Sequence, residues 1–148
     1  GTAANGANYA RASDPWVAIT PSGIAFQIAI AFNGNTLVAG SQGAVLVSRS
    51  MDGGITWSSP TPLIVDGSQF FNDKESITAD AVDPHTVYAV WDRTTGNTRP
   101  AQPVGTGPAY FARARDGVWE PARAIYDPGV DNQTLGNQIV VLPAVAGG

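Results

Sequence analysis

The chain has 148 residues, 43% of them apolar and 14% charged, a balance that suits a globular protein and excludes a disordered one. Its net charge is −4 and its eight Lys and Arg are scattered, which excludes the basic stripe that nucleic acid or an anionic membrane surface requires. It has no cysteine, so disulfides and thiolate metal sites are excluded, and no apolar run reaches the roughly 18 residues of a membrane span.

Glycine and proline recur between short apolar runs, a pattern of many short strands rather than long helices. Gly1–Ser13 is small and polar and reads as a leader or loop; with no initial Met and no signal peptide, the start reads as processed or truncated. Trp16–Thr20 is a strand closed by the turn Pro21-Ser22-Gly23. Ile24–Phe32 is apolar enough to be a strand covered on both faces, and Asn33-Gly34-Asn35 is a hairpin signal. Thr36–Ala39 extends the sheet, Ala44–Ser50 is a further strand, Met51–Thr56 a turn, and Pro62–Val65 an outer strand.

The pattern then restarts. Glu75–Val82 is a strand, Asp83-Pro84-His85 a turn and Thr86–Arg93 a strand. Thr94–Pro108 is a long connection rich in glycine and proline. Ala109–Arg115 is a strand, Asp116-Gly117 a turn, and Pro121–Tyr126 an outer strand. A third start falls at Asn137–Leu142, and the tail Ala144–Gly148 stands where a continuing strand is expected, which reads as truncation.

The two stretches are copies of one unit. VSRSMDGGITW lies over FARARDGVW, so Asp52 matches Asp116, 64 positions on. DPWVAIT, NDKESIT and GNQIVVL fall at corresponding starts, which makes Asp73 and Asn137 equivalent. Four short strands per unit is the pattern of propeller blades. The expectation is an all-β propeller portion of about two blades, 14–66 and 67–127, after a leader at 1–13, with a third blade beginning in 128–148. The alternative is a single β-sandwich.

One motif is specific. Ser50-Met51-Asp52-Gly53-Gly54-Ile55-Thr56-Trp57 fits S-x-D-x-G-x-T-W, the Asp-box. Asp52 can accept hydrogen bonds from the amides of its own turn, the glycines permit positive φ, Thr56 can lock the turn, and Trp57 can bury a large ring. Each of these roles fixes a fold and none needs a substrate. Together with FNDKESITAD, VYAVWDR, PAYFAR, WEPARAIYDP and NQTLGNQIVVLP, the motif resembles the sialidase-like, BNR-repeat proteins secreted by bacteria, over about Asp14 to Pro143. The resemblance implies a six-bladed propeller longer than this chain, an extracellular location, and carbohydrate or glycoprotein as partner. The missing blades would come from a longer chain or from further copies. The second box, Ala114–Trp119, lacks the Ser, one Gly and the Thr.

In such blades the box turns lie at one end, and the functional face is built at the other from the second-strand turns and the crossings. The resemblance thus assigns Asp66–Lys74, Thr94–Pro108 and Pro128–Asn137 to that face. Its polar residues are Asp73, Lys74, Glu75, Asp92, Arg93, Arg99, Asn132, Gln133, Asn137 and Gln138. Converging on an axis, such carboxylates and amides suit a sugar, a carboxylate or Ca²⁺. The plainer reading is that Asp73 and Lys74 cap a strand and pair with a neighbour. Sialidase chemistry requires an arginine triad, an acid/base Asp and a Tyr assisted by Glu. The first-blade arginine motif is absent, Arg49 and Arg113 are repeat features, and Tyr88 and Tyr110 cannot be paired with Glu75 from sequence. His85 reads as a turn residue; Trp91 and Trp119 read as blade packing, with sugar stacking as the alternative for Trp91. The chain reads as glycan-active or glycan-binding without a complete catalytic set, or as a non-catalytic interaction scaffold.

Overall fold

The computed structural model describes residues 3–35, 38–95 and 105–142. After a 3-10 turn at Ala3–Asn5, every regular element is a strand: β1 (Arg11–Ile19), β2 (Ala25–Asn33), β3 (Gln42–Ser50), β4 (Thr61–Gly67), β5 (Phe70–Ala79), β6 (Thr86–Thr95), β7 (Ala109–Arg115), β8 (Val118–Trp119) and β9 (Arg123–Tyr126). The first sheet has the order β1-β2-β3-β4; the second runs β5-β6-β7-β8, with β9 also pairing β7. Every pairing between these strands is antiparallel. The two sheets are two consecutive up-and-down blades.

Alternation places the core between them. From the first sheet come Phe26, Ile28, Ile30, Val45 and Val47; from the second come Ile77, Val87, Ala89, Trp91 and Ala112. The alanines of β6 and β7 let large side chains of the first blade approach closely. Trp91 is fully buried here, and its indole N–H donates to Asn72 Oδ1 at 2.9 Å, so it is a packing residue with a satisfied polar end.

Several boundaries differ from the sequence reading. β1 begins at Arg11, inside the expected leader, and Ala7 before it is buried. Arg11 is held by its guanidinium on the Phe32 ring, at 4.6 Å, and by a hydrogen bond to the Gly34 carbonyl. β5 begins at Phe70, so the expected crossing Asp66–Lys74 shrinks to a turn at Ser68-Gln69. Phe70 and Phe71 extend the strand because Arg93 of β6 stacks on the Phe70 ring, 3.6 Å from its centroid. Val38 and Ala39 lie in a bend and turn rather than a strand extension, and Thr36 and Leu37 lie outside the described residues. Asn137–Leu142 forms no strand ladder; it runs beside β5, tied by the Ser76 hydroxyl to the Asn137 carbonyl and the Thr78 hydroxyl to the Ile139 carbonyl, both at 3.0 Å.

The meander puts the β1–β2 and β3–β4 turns at one end and the β2–β3 loop and blade crossing at the other. At the first end the Ser50–Trp57 turn is closed by Asp52. Its Oδ1 accepts from the Ser50 hydroxyl at 2.8 Å and the Thr56 amide at 2.9 Å, and its Oδ2 from the Thr56 hydroxyl at 2.5 Å. Trp57 Nε1 donates to the Gly54 carbonyl. The counterpart Asp116 has none of these partners in its own turn; its Oδ1 accepts from His85 Nδ1 at 2.7 Å across the adjacent turn. Arg49 lies over Gly117, where an added Cβ would fall 2.1 Å from its Nη1, and Arg113 pairs with Glu120. Both arginines therefore serve structure at this end.

Candidate functional site

At the opposite end, β1 and β5 each carry a β-bulge near their start. The register shifts between Ser13 and Trp16 in β1 and between Asp73 and Ser76 in β5. Asp14 and Lys74 sit in these bulges with φ of 53° and 51°, the left-handed region that a non-glycine residue occupies only when its surroundings hold it there. Gly136, at φ 69°, opens the third segment in the same way. The left-handed residues align Asp14, Lys74 and Gly136, which makes Asn137 the counterpart of Glu75; the sequence alignment had matched it two residues earlier, with Asp73.

These three points surround a cleft of about 360 Å³, lined by Asp14, Pro15, Trp16, Lys74, Glu75, Ser76, Gly136, Asn137 and Gln138. Lys74 Nζ lies 2.8 Å from Asp14 and 3.5 Å from Asp73. The Lys74 hydrogen bond holds the Asp14 carboxyl below its ordinary value, and the same bond, with the Asp73 charge, raises Lys74. Asp14 and Lys74 therefore remain ionised near neutral pH. Trp16, 45% exposed, forms an apolar wall beside them.

Glu75 is buried, at 3% exposure, and reaches across to the first blade. Its Oε1 accepts the Ile30 amide at 2.8 Å, an N–H close to the β1 bulge. Its Oε2 makes no hydrogen bond among the described residues. Burial pushes its carboxyl up to about 7, and the negative charges of Asp14 and Asp73 add to the rise. Asn137 repeats the reach one blade on: its Nδ2 donates to Asp92 Oδ1, and Asp92 also accepts the Thr134 hydroxyl at 2.7 Å and the Gly136 amide at 2.9 Å.

Two sequence candidates leave the site on this evidence. Asp92 is buried and saturated by the 134–137 segment, so it anchors that segment instead of facing a ligand. Arg93 is spent on Asp66: Nη2 meets Oδ1 at 2.6 Å and Nε meets Oδ2 at 2.9 Å, while Nη1 donates to the Tyr110 hydroxyl. Burial alone would raise the Asp66 carboxyl, but the Arg93 and Asn72 bonds outweigh it and hold it below its ordinary value. Asn132 and Gln133 belong to a strap that bridges Gly107. Arg99 and most of the long loop lie outside the described residues. Tyr88 donates to Asp80 and Tyr110 accepts from Arg93, so neither hydroxyl meets Glu75.

The site the sequence reading missed is the pair Asp14 and Trp16, placed in a strand start rather than at the face. The sequence repeat set Asp14 against Asn72; the two bulges instead bring Asp14-Pro15-Trp16 into line with Lys74-Glu75-Ser76 and Gly136-Asn137-Gln138. Ca²⁺ does not fit. The Lys74 ammonium occupies the space between Asp14 and Asp73 that a cation would take, and no three metal-ligating side chains converge among the described residues.

Two blades of this topology, the last strand of one leading into the first strand of the next, define a sialidase-like β-propeller fold. No family model and no curated protein matches the sequence. Among solved structures, the chain is similar to one described as Hadza microbial sialidase Hz136, with a TM-score of 0.64 and 20% identity over 80% of this chain. It spans 27% of that protein's length, and at this identity the likeness establishes the fold.

Proposed function

We propose that the chain supplies two blades, and the start of a third, to a secreted sialidase-like propeller that binds carbohydrate at the cleft between its inner strands. The single observation that supports this reading is the convergence of two β-bulges, at Asp14 and Lys74, and the positive-φ Gly136 on one cleft walled by an exposed tryptophan. An aromatic face beside carboxylates and amides suits a pyranose: the ring's C–H face stacks on Trp16 while Asp14 and Gln138 take hydroxyls. The Ser50–Trp57 turn is, in this reading, an Asp-box that locks a hairpin at the far end of the blade and touches no ligand.

The role is binding rather than hydrolysis by these residues alone, because no arginine lines the cleft among the described residues and Arg93 is held by Asp66. The test is a glycan array probed with the wild-type chain and with Trp16→Ala, their folding compared by thermal melting. Retention of a defined glycan class by the wild type and its loss in Trp16→Ala, at an unchanged fold, is the expected result. A blank array would favour an interaction scaffold.

A further inference from the structure

Resting on that carbohydrate reading, we infer that the cleft selects an uncharged sugar and rejects a sugar acid. The argument is one of charge on named groups. Asp14 lines the cleft, Asp73 adjoins its lining residue Lys74, and Lys74, the only cation lining the cleft among the described residues, is shared between the two carboxylates at 2.8 and 3.5 Å. One ammonium set against two carboxylates leaves the rim with a net negative charge. Arg93, in the second blade, is fixed by two hydrogen bonds to Asp66, a third to Tyr110, and the Phe70 ring.

A buried carboxyl reinforces the preference. Glu75 lies in the floor with one oxygen on the Ile30 amide and the other unpartnered. A ligand carboxylate above it would add a third negative group beside Asp14 and Asp73. An uncharged ring meets none of this opposition: its hydroxyls donate to Asp14 and accept from the Gln138 amide, and its apolar face covers Trp16. Charge therefore sets the ligand class here, and stacking sets its shape.

The experiment is a titration of the full chain, by calorimetry, with neutral oligosaccharides of differing terminal hexose and with the same oligosaccharides carrying a terminal sialic acid. The expected result is tighter binding of the neutral member of a pair by about tenfold or more, the effect of one uncompensated like charge at a partly screened distance. The preference shrinks in the double variant Asp14→Asn, Asp73→Asn, whose neutral side chain at position 14 keeps the hydroxyl contact; asparagine tolerates the positive φ there. Tighter binding of the sialylated member would overturn the selectivity while leaving the carbohydrate reading intact. Binding of neither by a folded chain would overturn both. An unchanged preference in the double variant would show that these carboxylates do not set it.

Discussion

Asp66 and Arg93 are 27 positions apart in sequence and form a two-point ion pair across the blade boundary, with N···O distances of 2.6 and 2.9 Å. The pair closes a chain of polar contacts running from Trp91 through Asn72 and Asp66 to Arg93 and Tyr110. It fastens the last strand of one sheet to the first two strands of the next, where an apolar core alone would leave the crossing free to slide.

Arg93→Ala leaves the Asp66 carboxylate buried without its partner. The expected loss is about 2–4 kcal/mol in denaturant unfolding. Replacing both members, Asp66→Asn with Arg93→Met, costs less than Arg93→Ala alone, because no charge is then stranded. Equal losses in the two variants would mean that packing on Phe70, not charge, is the main contribution.

Glu75 makes stability depend on pH with a definite sign. Its folded value, about 7, lies above the ordinary 4.5, so the folded chain holds a proton that the unfolded chain releases. Stability from this group is complete below about pH 4.5 and falls as pH rises through 7. Glu75→Gln keeps an oxygen for the Ile30 amide and removes the charge. The variant is expected to be more stable than wild type at pH 8, by about 1–3 kcal/mol, and indistinguishable at pH 4. Thermal melts at the two pH values decide it.

Asp52 carries the opposite sign. The Thr56 hydroxyl and amide bonds, with that of Ser50, hold its carboxyl at about 2. Its contribution is present above pH 3.8 and is lost as pH falls through about 2. A carboxyl carbon titration by NMR should show a midpoint near 2 for Asp52, and Thr56→Val should move it upward by removing the leading bond.

Asp92→Ala releases the segment that starts the third unit. Gly136 loses its amide's acceptor, and its hydrogen exchange should quicken by about tenfold or more, the equivalent of one charge-assisted bond. Exchange of Val47 and Ala89 amides, in the core strands, should hold steady.

Much of this was legible in the residues. Alternation and turn residues gave the strands, and the repeat of Asp52 at Asp116 gave the blade unit. What escaped was set by partners distant in sequence. Nothing local to Phe70 announces that Arg93 will stack on it and start β5 early. Asp92 beside Trp91 reads as a surface carboxylate until Thr134, Gly136 and Asn137 are brought onto it. The bulges were hidden because Asp14 and Lys74 adopt a backbone conformation usually reserved for glycine, and only Gly136 hinted at it.

Amide chemical shifts followed while a neutral oligosaccharide is added test the central claim, a carbohydrate cleft between the inner strands, most directly. The account predicts saturable shifts clustered at 14–18, 74–76 and 136–138 and at the Trp16 indole, with the Ser50–Trp57 turn unmoved. Shifts centred on that turn, or none with any oligosaccharide that the glycan array identifies, would contradict it.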